Sequence, residues 1–173
     1  MSILDHREEW LAEFQAGWLK TYLETGELDW KVYNLPKNST AVGGPAIDLA
    51  KSKLVLITTG GFYVAGEQEP MDEPDMHGRY DIRLLPADMP PESYSISHTH
   101  YNHDAVNQDR QVLLPTEHLT EMVEAGEIGE MAPNIISFMG YQPDVTRVID
   151  ETIPAIVTAA QEMEVTAALL VPA

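Results

Sequence analysis

The amino-acid sequence predicts an α/β protein with a Rossmann-like, mostly parallel sheet carrying helices on both faces, preceded by an amphipathic N-terminal helix. Three observations predict it. Short β-branched apolar runs end in glycine, two such runs in the last third enclose a helical pattern, and an aromatic stripe at helical spacing stands near the start. The 173 residues, 44% of them hydrophobic, suffice for a real core. A single domain over 1–173 is expected, with 1–45 as helix and linker and 46–173 as the α/β core.

Along the chain, Trp10, Leu11, Phe14, Trp18, Tyr22 and Leu23 recur at helical spacing, with Ser2 as the expected cap and Gly26 as the stop. Such a stripe reads as core or subunit contact rather than a cofactor site. A polar linker through Asn38, Ser39, Gly43 and Gly44 leads to Lys53-Leu-Val-Leu-Ile-Thr-Thr59, a buried strand ended by Gly60-Gly61. Residues 66–78, with Gly66, Pro70, Pro74, Gly78 and many acids, read as an exposed loop. Tyr80–Leu85 and Tyr94–His98 read as short strands separated by Pro90-Pro91. Pro115 and Thr116 open a helix that ends at Gly126, with Leu119, Met122 and Val123 on one face. Last come a strand at Ile135–Met139, a turn at Gly140-Tyr141, a helix from Asp144 to about Met163 and a strand at Val165–Val171. This is a βαβ unit. Pro154 lacks the amide proton the helix needs, so a kink or restart is expected there.

A net charge of -18 repels phosphate backbones and anionic lipid, and the ten Lys and Arg residues form no basic stripe. Nucleic acid and membrane surfaces are therefore not expected partners. No apolar run reaches the length of about 18 residues that a span needs, and the first nine residues carry charges where a signal peptide is apolar. A cytoplasmic location is expected. Cysteine is absent, so disulfides and CxxC zinc sites are excluded from this chain, and any metal must rest on His and carboxylate ligands.

The dense chemical cluster is Ser97-His-Thr-His-Tyr-Asn-His-Asp104, where three of the six histidines fall within six residues. On an extended segment His98 and His100 point to one face, and His103 or Asp104 can fold back to complete a ligand set for Zn, Mn or Fe. A metal-dependent hydrolase or metal-binding module is one reading. The spelling is similar to the HxHxDH signature of the metallo-β-lactamase superfamily, with Asn102 where that pattern has its aspartate. The plainer alternative is that the imidazoles hydrogen-bond the loop and each other.

Ligands of open α/β sheets bind beyond the carboxyl ends of the strands. Gly60-Gly61, His98–Asp104, Gly140-Tyr141 and Ala173 each follow a predicted strand and meet on one edge if those strands are parallel. The imidazoles of His98, His100 and His103 can bind a carboxylate or shuttle protons, and Tyr141 can donate a hydrogen bond; these four are the catalytic candidates. Gly60, Gly61, Asn102, Asp104 and Gly140 are the substrate-binding candidates, the glycines through close backbone approach or simply as turn residues. Asp104, Asp109 and Arg83 are weaker positioning candidates.

Ordered motifs run through the same region: Lys53–Gly61, Ile96-Ser-His-Thr-His-Tyr-Asn-His103, Val112-Leu-Leu-Pro115, His118-Leu119, Glu127-Ile-Gly129, Met131-Ala-Pro133 and Ser137-Phe-Met-Gly-Tyr-Gln-Pro-Asp144. Together they resemble the selenoprotein B family of glycine, sarcosine, betaine and D-proline reductases, from about Asp48 to the end. The resemblance implies reductive C–N cleavage of a small amine-containing substrate by a selenocysteine or cysteine, with electrons from a thiol donor protein. It also implies that this residue follows directly on a strand like Ala167–Val171, hence just beyond Ala173, and that the chain alone is inactive as a reductase. A homo-oligomer is expected.

Overall fold

A computed structural model describes residues 4–39, 43–44, 46–71 and 78–173. The chain divides into two compact units, Met1–Ala46 and Ile47–Ala173. In the first, α1 (Arg7–Phe14), a π-helical turn (Gln15–Leu19) and α2 (Lys20–Thr25) run on from one another. Trp10, Phe14, Trp18 and Tyr22 stack in sequence with ring centroids 5.2 to 5.7 Å apart. The indole N–H groups of Trp10 and Trp18 donate to the carbonyls of Asn34 and Asp29 at 2.7 and 2.9 Å, so the following loop folds back along the helix. The stripe is thus a seam with its polar tips satisfied. Gly26 stops the helix in the left-handed region at φ 73°, as expected. The expected cap, Ser2, lies outside the described residues.

The second unit is built around β1 (Lys53–Thr58), whose last five residues are buried. Leu54 pairs with both Met131 of β5 (Glu130–Met131) and Ala167 of β7 (Ala167–Val171), and Ile57 pairs with both Ile136 of β6 (Asn134–Phe138) and Leu170. A strand has only two edges, so β5 and β6 share one and β7 takes the other. All three run parallel to β1, while β3 (Ile82–Pro86) runs antiparallel along the far side of β6. The sheet is therefore mixed and mostly parallel.

Successive residues of β1 feed opposite cores, which is why the strand is apolar throughout rather than alternating. Leu54 and Leu56 join Leu119 of α4 (Thr116–Glu124), Val106 of α3 (Asp104–Gln108) and Leu113 and Leu114 on one face. Val55 and Ile57 join Ile156 and Ala159 on the other. Those two residues belong to α6 (Ile153–Glu162), which with α5 (Val145–Arg147) and a π-helical turn (Val148–Thr152) forms the crossover from β6 to β7. The π-turn ends at Thr152, two positions before Pro154. Without an N–H at position 154 the carbonyl of Asp150 loses its ordinary helical partner, so the ladder resets there and the helix goes on.

Two readings from sequence change. The strand beginning at Tyr94 is three residues long, β4 (Tyr94–Ile96), and pairs antiparallel with β2 (Phe62–Val64) in a small separate sheet. It is not a member of the parallel sheet, because Gly60-Gly61 turn the chain out of β1 and the Phe62 N–H donates to Ser137 Oγ at 2.9 Å rather than continuing a ladder. Of the loop read over 66–78, residues 72–77 lie outside the described set, and Met71 is fully buried with its N–H on Ser97 Oγ at 2.8 Å.

Candidate functional site

The carboxyl ends of β1, β6 and β7 converge on Thr59. Its N–H donates to the Val171 carbonyl at 3.2 Å, its own carbonyl accepts the Gly140 N–H at 3.1 Å, and its hydroxyl accepts the Ala173 N–H at 2.8 Å. Gly61 follows at φ 66°, donates to the Phe138 carbonyl at 3.1 Å and accepts from the Ser97 N–H at 3.0 Å. The small antiparallel sheet thereby delivers the histidine segment to the same edge, although its strand lies outside the parallel sheet.

His98 is only 5% exposed and lies between two glycines. A Cβ on Gly61 would stand 2.6 Å from His98 Cβ, and one on Gly140 would stand 3.1 Å from His98 Nε2. The ring fits because both side chains are missing. His98 Nδ1 accepts the backbone N–H of His100 at 3.1 Å, so the neutral ring carries its proton on Nε2. The His98 carbonyl faces His103 Nε2 at 2.6 Å, and because a carbonyl can only accept, His103 donates there. His100 stands edge-on to the His98 ring at 5.6 Å and stacks on Tyr141 with centroids 4.0 Å apart and planes within 4°.

Tyr101 closes the inner side. Its hydroxyl donates to the Gly60 carbonyl at 3.2 Å, and its ring stands edge-on to His98 at 5.0 Å. Burial pushes its phenol up to about 12, with the nearby Arg110 guanidinium acting in the opposite direction. Tyr94, beside the same core, is likewise pushed up to about 12 by burial, with Asp88 adding to the rise. Both phenols hold their protons more tightly folded than unfolded, where the value is about 10. Their contribution to stability is therefore complete below about pH 10 and is lost as pH rises toward 12. Phenolate absorbance and unfolding followed together over that range should show the late-titrating tyrosines ionising as the fold weakens. With the signals assigned by Tyr94→Phe and Tyr101→Phe, either of these two phenols ionising near 10 in a still-folded protein would contradict this burial.

Of the sequence candidates, the structure brings together Gly60, Gly61, His98, His100, His103, Gly140 and Tyr141, with Ala173 linked to them through Thr59. Asn102 and Asp104 close on each other instead: the Asp104 N–H donates to Asn102 Oδ1 at 2.7 Å and Asn102 Nδ2 donates to Asp104 Oδ2 at 3.2 Å, an exposed turn that starts α3. Arg83 is held by Asp81 and the Glu69 carbonyl, and Asp109 caps the next turn through the Gln111 N–H at 2.8 Å. Thr59 and Tyr101 join the site without being among the candidates, and the signal for Thr59 is its place between a buried strand and paired glycines. As for a metal, the three imidazoles point to different partners, and among the described residues no three His, Asp or Glu side chains form a group that can hold an ion.

Fold and site together define an α/β protein with a cluster of polar and aromatic groups beyond the carboxyl ends of a mostly parallel sheet, the place where such folds bind small molecules. The family model of glycine/sarcosine/betaine reductase selenoprotein B matches residues 26–172, and the chain belongs to that family. Among curated relatives it is 27% identical over 123 residues to the D-proline reductase subunit gamma of Acetoanaerobium sticklandii, covering 71% of this chain and 49% of that one. It is 28% identical over 102 residues to the glycine reductase complex component B subunit gamma of Peptoclostridium acidaminophilum, covering 57% and 23%. The corresponding subunit of Carboxydothermus hydrogenoformans is 31% identical over 90 residues, covering 50% and 20%. The aligned region thus spans about half of the first relative's length and less than a quarter of the others'. No solved structure matches the chain. No helix among the described residues is long and apolar enough to cross a membrane.

Proposed function

We propose that this chain carries the substrate-binding part of a reductase that breaks a C–N bond in a small amine-bearing molecule. The observation that carries the reading is the hydrogen bond from the Ala173 N–H to Thr59 Oγ1, 2.8 Å long, which ties the end of β7 to the strand end that supports His98 and Gly140. A selenocysteine or cysteine following Ala173 supplies a selenolate or thiolate nucleophile for the carbon of the C–N bond. The chain's own residues do the rest. His98, with its proton on Nε2, donates a hydrogen bond toward the departing nitrogen, whose proton comes from solvent; Thr59 holds the backbone register; His100 and Tyr141 form the aromatic rim against which a small ring or alkyl group can lie. In this reading electrons come from a thiol donor protein, the location is cytoplasmic and the working form is a homo-oligomer. The relatives named as subunits of reductase complexes support the presence of protein partners.

Reading the coding nucleotides after the Ala173 codon tests this directly. An in-frame UGA or cysteine codon followed by open frame is the expected result. The product of that frame should then reduce glycine, sarcosine, betaine or D-proline in the presence of a dithiol. An ordinary terminator, together with no Sec- or Cys-bearing partner that restores reduction, would sink the reading.

A further inference from the structure

We propose that Arg110 is the anion-binding residue of this site and takes the carboxylate of the small substrate, an inference that rests on the function proposed above for the nature of that substrate. The unit from Ile47 to Ala173 contains six Lys and Arg residues. Five are paired with carboxylates: Lys51 with Asp48 at 2.6 Å, Lys53 with Glu130 at 3.2 Å, Arg147 with Glu151 at 2.6 Å, and Arg79 and Arg83 with Asp81, Arg79 at 3.1 Å. Arg110 is the exception. Among the described residues its guanidinium has no ion pair or hydrogen bond, and its Nη1 atom is buried without a partner.

Its local sequence explains how that happens. Asp109, the adjacent carboxylate, is used to cap the 3₁₀ turn Arg110–Val112 through the Gln111 N–H, and the Arg110 carbonyl accepts from Leu113 and Leu114 as the chain enters the core. The backbone is thereby fixed while the guanidinium is left unanswered. A cation whose N–H group is buried without an acceptor is among the more costly features a fold can keep, and one that persists calls for a ligand to complete it. In a chain with a net charge of -18, acidic side chains were available in quantity to pair it.

Its position fits the site. Arg110 lies close enough to the Tyr101 phenol to oppose the effect of burial on it, and Tyr101 in turn bonds the Gly60 carbonyl and faces the His98 ring. The chemistry of the ligand follows from the number of charges. One planar guanidinium matches a single carboxylate through paired N–H donors, whereas a phosphate-bearing ligand would call for several cations and would meet the repulsion of the acidic surface. An arginine holding the carboxylate on one side of Tyr101 and His98 donating on the other would orient an amino acid with its nitrogen toward His98.

Calorimetric titration of the wild-type chain, Arg110→Met and Arg110→Lys with D-proline, pyrrolidine and acetate tests this. D-Proline should bind the wild type, and pyrrolidine, which lacks the carboxylate, should bind about ten- to a hundredfold more weakly. Arg110→Met should lose a similar factor for D-proline and acetate, with Arg110→Lys in between because the charge stays and the fork goes. Without ligand, Arg110→Met should melt about 2–4 °C higher, since a cation with an unanswered buried N–H is removed. Unchanged affinity for the carboxylates in Arg110→Met, or no carboxylate binding to the wild type, would overturn the proposal. Arg110-dependent binding of acetate with no binding of any amine-bearing acid would keep this proposal and remove the reductase reading instead.

Discussion

Replacing Gly61 by alanine is expected to destabilise the α/β unit by about 2–4 kcal/mol. Two costs add. The residue sits at φ 66°, where an L side chain pays about 1–2 kcal/mol. The new methyl would also stand 2.6 Å from His98 Cβ and 3.1 Å from its backbone nitrogen, atoms that cannot rotate away as the end of a flexible chain would. Gly66 offers the comparison, because it has φ 85° with nothing within 4 Å of the place an added methyl would take, so alanine there meets the first cost alone. Urea denaturation of both variants separates the terms. Equal losses at the two positions would mean that His98 is not clamped against Gly61.

Removing the His98 side chain is the second large effect, about 2–4 kcal/mol in His98→Ala. The His100 N–H then loses its acceptor at 3.1 Å, and the buried space between Gly61, Gly140 and Tyr101 empties. In a complete, active protein we expect turnover to fall by about 10²–10³-fold as well, the usual range for a lost hydrogen-bond donor to developing charge. His98→Asn distinguishes the two roles: its amide oxygen can take over the His100 N–H and recover part of the stability, but it leaves no donor at the place of Nε2. Full turnover in His98→Ala would remove His98 from the chemistry.

The elements that sequence made legible are those whose burial leaves a local signature. Strand β1 is apolar on both faces because two cores meet on it, and the βαβ unit at the end announces itself by a switch between strand-like and helical periods. The three-residue strands β2 and β4 carry no such signature, since pairing of Val64 with Tyr94 and Phe62 with Ile96 is decided by the turn at Gly60-Gly61 and by bonds such as Phe62 to Ser137 across 75 positions. The histidine cluster is legible as a concentration of imidazoles, but the direction of each ring is not. Whether His98, His100 and His103 face one point or three depends on the His98 carbonyl and on Tyr141, neither of which spacing reports. Arg110 was illegible for a related reason, because Asp109-Arg110-Gln111 spells an ordinary surface turn and only the pairing of the other five cations of its unit sets it apart.

The placement of β1 also sets the order of events during synthesis. Among the described residues every neighbour of this strand in the sheet comes from positions 130–171, so an apolar segment made at residues 53–58 waits for more than seventy further residues before its first partner exists and for more than a hundred before its second edge is closed. Sheet formation is therefore a late, long-range event, slow by contact order and open to aggregation in the interval. Shortened chains that end before Ala167 keep the Leu54–Thr58 edge bare, so yield from the ribosome, rather than the equilibrium stability of the finished sheet, is where this topology makes its demand.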